Sequence, residues 1–188
     1  MTRPHSYDIG YHEAGHALTS IYLGVKIHNI QVISYVNRQN HHWLWDKNGS
    51  LQPGVTGICE PEVDFLGRLS KAPMMSPLYR AICWHQAAIS IAGPLSTHIV
   101  TRNKLAGCLS LAQHDVDNCK LYLSFAKLGH NDYRLLSSKV LAFLKSAPAR
   151  VVMTKAANRL AWDGALDGRS FHRIYHGVRW PQPDKLWL

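Results

Sequence analysis

Between Ile9 and Leu23 the chain carries one charged residue, Glu13, in an otherwise uncharged run that also holds two histidines, His12 and His16. A stretch of that length and polarity suits a helix largely buried beneath a cleft, with the polar triplet as its one interruption. Its ends are legible. Ser6 or Asp8 can cap the first turn, Asp8 also complements the positive end of the helix dipole, and Gly24 follows Leu23 where a left-handed residue is wanted. The small residues Ala14, Gly15 and Ala17 leave room for another element to approach.

Residues four apart lie on one face of a helix, so His12 and His16 can present two imidazole nitrogens to a single metal ion. Glu13 sits beside that ion. A carboxylate there can take a proton from an attacking water and return it to a leaving amine, and the H-E-x-x-H pattern is the working arrangement of zinc peptidases. Histidine is common here, twelve of 188 residues, so the buried-helix context gives the pattern its weight. A catalytic zinc needs a third protein ligand and an open fourth position. Glu60, Glu62, His85, His98, His114, Asp115 and Asp117 are candidates, and metal chemistry alone does not choose among them. His41 and His42, in a polar stretch, read as exposed loop residues.

The length fits one well-cored domain, residues 1–188, with a core of about 7–176 and a C-terminal tail from 177 to 188. The longest apolar stretches fall short of the roughly 20 residues that span a bilayer, and the N-terminus lacks the apolar run of a secretory signal, so a cytoplasmic protein without a transmembrane segment is expected. Cys59, Cys83, Cys108 and Cys119 show no zinc-knuckle or disulfide spacing and read as packed, reduced thiols. The formal charge of +9 favours acidic partners, nucleic acid among them. The basic residues are scattered and no nucleic-acid motif accompanies them, so the charge reads mainly as a solvated surface.

After the first helix, Ile27 to Ser34 alternates and is rich in β-branched residues, predicting a strand. Asn37 to Pro53 reads as a hairpin loop, and Gly54 to Glu60 as a second, short strand at a sheet edge, closed by Pro61. Glu60 to Pro77, with three prolines, reads as an irregular connection. Helical periodicity begins at Leu78, is bent or restarted at Gly93 and Pro94, and continues to Val100. Further helices are predicted over Asp115 to Leu128, Tyr133 to Lys145 and Ala149 to Trp162. The tail from Trp180 to Leu188 must dock on something to be ordered.

The run YHEAGHALTSIYLGVKIHNIQVIS resembles the start of the peptidase domain of the FtsH family, the membrane-bound ATP-dependent zinc proteases. IAGPLSTHIV falls where that family has a glycine-pair segment entering a helix, SLAQHDVDNCKLYL resembles its aspartate-bearing segment, and RLAWDGALDGRSFHRI its closing helix with a Leu-x-Gly turn. The resemblance spans about residues 7 to 176. It implies zinc as cofactor, His12 and His16 as ligands, Glu13 as general base and Asp115 as third ligand. By the same analogy the strand Gly54 to Glu60 borders the cleft, with Gly57, Ile58 and Cys59 binding an extended polypeptide substrate. The departures are equally specific. The 188 residues hold no counterpart of the family's ATPase module or membrane anchors, Thr97 and His98 replace its acidic pair, and the hexamer that the ATPase ring supports is not expected to follow.

The sequence is therefore read as an α+β, predominantly helical chain with an FtsH-like zincin peptidase fold. It would act as a zinc metalloendopeptidase that cleaves flexible or unfolded segments without ATP. The competing class is a catalytically silent peptidase-like module that recognises a protein or nucleic-acid partner; the intact Glu13 argues against it, because a purely structural site needs no base.

Overall fold

The uncharged opening run forms helix α1, His5–Tyr22, and the rest of the fold is arranged around it. The computed structural model describes residues 5–32, 57–61 and 65–180. Strands β1 (Ile27–Val32) and β2 (Gly57–Pro61) follow, then helices α2 (Phe65–Lys71), α3 (Pro77–Thr101), α4 (Leu105–Leu111), α5 (Gln113–Phe125), α6 (His130–Lys145) and α7 (Ala147–Asp163). A short strand β3 (Ala165–Asp167) and helix α8 (Gly168–His176) complete the order. The architecture is α+β: mostly helical, with one small antiparallel sheet. No helix among the described residues is long and apolar enough to cross a membrane.

Helix α1 is enclosed by α3, α7 and the sheet, which leaves Ala14, Ala17 and Leu18 without solvent exposure. A Cβ at Gly15 would stand 2.5 Å from Ser96 Oγ and 2.8 Å from the Ala92 carbonyl, so α1 and α3 cross almost backbone to backbone. Ser96 Oγ donates across the crossing to the Tyr11 carbonyl at 2.8 Å. Gly24, at φ 78°, ends the α1 segment in the left-handed region that its composition called for. Leu136, Val140 and Leu144 of α6 and Val152, Met153 and Leu160 of α7 fill the remaining core and are fully buried.

Helix α3 runs unbroken for 25 residues, capped by Ser76, whose Oγ accepts from the Tyr79 N–H, and opened by Pro77. The restart expected at Gly93 and Pro94 does not occur; the helix continues through both. Everything from Ala87 to Ser96 is buried, and tertiary packing on that scale outweighs the backbone hydrogen bond a proline removes.

The sheet has the order β2–β1–β3, with Ile30 opposite both Cys59 and Leu166. As expected, β2 is an edge strand among the described residues. Strand β3 takes in Leu166 and Asp167, which the resemblance placed in a Leu-x-Gly turn. A Cβ at Gly168 would overlap the Ile27 carbonyl, and this close approach lays the chain before it alongside β1. Asp167 then caps α8, accepting from the Ser170 N–H at 2.9 Å. A second correction concerns Glu60 to Pro77, where Phe65–Lys71 is helical because Leu69 packs with Cys83 and Ala126. Helix α5 begins at Gln113 and ends at Phe125, short of Leu128. Residues 33–56, with the expected hairpin loop and His41 and His42, lie outside the described residues, as do Glu62 and 181–188. Trp180, where the tail begins, stacks on Tyr175 with ring centroids 4.6 Å apart.

Candidate metal centre

Three elements converge on one point. Helix α1 supplies His12 and His16 from consecutive turns, and α5 supplies Asp115 from its first turn, held against α3 by buried Val116, Cys119 and Leu123. His12 Nε2 lies 2.9 Å from Asp115 Oδ2, His16 Nε2 lies 3.6 Å from the same oxygen, and the two Nε2 atoms are 3.1 Å apart. Tetrahedral zinc with ligands at about 2.0–2.1 Å separates its donor atoms by roughly 3.3 Å. The triangle observed here brackets that value, and two imidazoles with one carboxylate are a borderline-to-hard set that suits zinc.

Gly93 makes the space for an ion, a role the sequence reading missed by treating it as a bend. A Cβ on Gly93 would stand 2.5 Å from His12 Nε2 and in overlap with His16 Nε2, filling the cradle. The available signal was a glycine inside an apolar, helix-periodic run, where it costs about 1 kcal/mol relative to alanine.

Helix α3 also fixes both ring orientations. His16 Nδ1 donates to the Ile89 carbonyl at 2.7 Å, which aims Nε2 at the centre as the nitrogen that binds a metal once its proton is lost. His12 Nδ1 donates to Thr97 Oγ1 at 3.2 Å, and that hydroxyl in turn donates to the Gly93 carbonyl at 3.2 Å. The acceptor on His12 is thus a neutral hydroxyl. Thr97→Val keeps the shape and deletes the acceptor, and is expected to weaken zinc binding about 10- to 100-fold, while Thr97→Ser preserves it; competition against a chelator of known affinity measures both.

Glu13 points into the same cleft from α1. It is 7 % exposed and accepts no hydrogen bond from the described residues. Burial raises its pKa, and the neighbouring histidines only partly offset that. Its room comes from β2, where a Cβ at Gly57 would stand 2.5 Å from Glu13 Oε1. Cys59 lies on the same wall, but burial, then Glu13, then Glu60 push its thiol well up. It is therefore no thiolate nucleophile.

His16 and Asp115 are coupled through their charges and a hydrogen bond. Burial disfavours a charged His16, but the Asp115 carboxylate and its hydrogen bond more than compensate and raise His16 to about 9. Asp115 in turn is held well below the usual carboxylate range: burial acts against its charge, and His16 and the hydrogen bonds from both rings outweigh it. A divalent cation competes for the same negative well and must displace the His16 proton. Apparent zinc affinity should therefore rise about tenfold per pH unit from near neutrality and level off above about pH 9, as metal titrations at several pH values would record. The sign for the metal-free fold is opposite. With the folded pKa above the unfolded one, His16 contributes stability fully below about pH 6.5 and loses it as pH rises through about 9.

The cleft measures about 670 Å³ and is walled by β2 through Gly57, Ile58 and Cys59, by α3 through Gln86, Ile89 and Ser90, and by the α4–α5 corner through Leu111 and Ala112. His12, Glu13, His16, Asp115 and the three β2 residues are thus brought to one place. Among the described residues, the other ligand candidates do not join the two histidines and Asp115. Glu60 is buried with Asn29 Nδ2 at 3.3 Å, His98 Nδ1 bonds the Asn103 carbonyl, and Asp117 accepts from Gln113. His114 lines the cleft but pairs with Asn118. Among the described residues the one group of three or more potential ligands is His12, His16 and Asp115. No protein-family model and no curated protein matches this sequence.

Proposed function

We propose that this chain is a zinc-dependent metallopeptidase of FtsH-like fold that hydrolyses peptide bonds in flexible or unfolded polypeptide segments, with chemistry that uses no nucleotide. The observation that carries the reading is a donor triangle of zinc-binding dimensions beside a buried carboxylate that accepts no hydrogen bond from the described residues. Zinc bound there supplies a Lewis acid that polarises the scissile carbonyl and makes water a stronger acid. Glu13 takes the proton of the attacking water and returns it to the departing nitrogen; burial raises its pKa, which makes the carboxylate a stronger base for the first transfer. Gly57, Ile58 and Cys59 offer the edge of β2 to an extended substrate, which would join the sheet as a further strand beside the metal.

The test is incubation of the zinc-loaded protein with an unfolded, carboxymethylated polypeptide, with and without chelator. Fragments that appear only with zinc support the reading. An intact substrate under all conditions, with zinc bound, removes it.

A further inference from the structure

Resting on the peptidase reading, we infer that the cleft selects basic polypeptide segments and that Asp8 is the residue that reads them. The chain holds 21 lysines and arginines, yet none lines the cleft among the described residues, whereas three carboxylates do: Asp8, Glu13 and Asp115. A divalent ion cancels two of those charges. Asp8 is left over, half-buried and facing the same space.

Its place on α1 sets the register. Asp8, His12, His16 and Ser20 recur every four residues and all line the cleft, so they form one stripe along its floor. Asp8 is one helical turn, about 6 Å along the axis, before the first histidine. An extended peptide advances about 3.3 Å per residue, so a lysine or arginine about two residues from the scissile bond would meet the Asp8 carboxylate. Glu13 is a second pointer to a ligand, being more than nine-tenths buried, without a hydrogen-bonding partner among the described residues, and turned into the same cleft. The remaining walls, Ile58, Ile89 and Leu111, are apolar and accommodate the aliphatic stems of long basic side chains. An acidic segment would instead be repelled from the metal's own pocket, although the rest of the surface attracts it.

The experiment uses matched unstructured peptides that differ only in lysine or glutamate flanking the cleavage position. Cleavage is measured with the zinc-loaded protein and binding by fluorescence anisotropy with zinc-loaded Glu13→Gln. The basic peptide is expected to show about tenfold higher kcat/KM and tighter binding, with a difference that shrinks as salt rises. Asp8→Asn should erase the preference, Asp8→Lys reverse it and Asp8→Glu keep it, all with zinc stoichiometry unchanged. Equal treatment of the two peptides, or a preference that survives Asp8→Asn, overturns the inference. Selective binding through Asp8 without any cleavage would instead overturn the peptidase reading and leave the cleft's selectivity standing. Failure to bind either peptide overturns both.

Discussion

Gly93→Ala is expected to abolish zinc binding while leaving the fold in place. The added methyl stands where the ion must sit, in contact with both Nε2 atoms. Its effect on stability is a small difference of opposing terms. Alanine favours the helix by about 1 kcal/mol over glycine, and overpacking a buried site costs about 1–3 kcal/mol. The helical content should therefore survive, with at most a modest drop in thermal midpoint. Zinc affinity has no such compensation. Moving either ring aside breaks its Nδ1 hydrogen bond to Ile89 or Thr97, so a loss of at least 100-fold is expected, and proteolytic activity should go with it. Metal analysis of the purified variant beside its circular dichroism spectrum reads both. A folded Gly93→Ala protein with full zinc content would show that the ion binds elsewhere.

Glu13→Gln separates binding from chemistry. The amide keeps the size of the side chain beside Gly57 but cannot accept the proton of the attacking water. General-base catalysis is worth about 10²- to 10⁴-fold, so kcat for an unfolded substrate should fall by about three orders of magnitude with zinc stoichiometry unchanged. The variant should also lose its dependence on the buried carboxylate's ionisation, which flattens the acid limb of the pH–rate profile. Full activity in Glu13→Gln would remove Glu13 from the mechanism.

How far the sequence anticipates this arrangement depends on how local each signal is. The spacing of His12 and His16, the small residues at the α1–α3 crossing and the left-handed Gly24 are properties of a few neighbouring positions, and each is found where expected. Asp115 lies 103 residues from His12, and the residues alone left it among seven candidates. The resemblance favoured it, and the fold brings it to the histidines. Gly93 and Thr97 were harder to read because their roles exist only once α3 has packed on α1. The same dependence on packing hid α2, which needs Cys83 and Ala126 to cover Leu69, and β3, which needs the contact of Gly168 with β1.

The central claim is that His12, His16 and Asp115 hold one zinc ion with Glu13 at its side. A zinc-soaked crystal measured on either side of the zinc absorption edge tests it most directly. The account predicts a single anomalous peak at about 2.0–2.2 Å from His12 Nε2, His16 Nε2 and Asp115 Oδ2, with the fourth position open to the cleft. A peak coordinated by Glu60 or Asp117 in place of Asp115, or no peak between the two histidines, would contradict it.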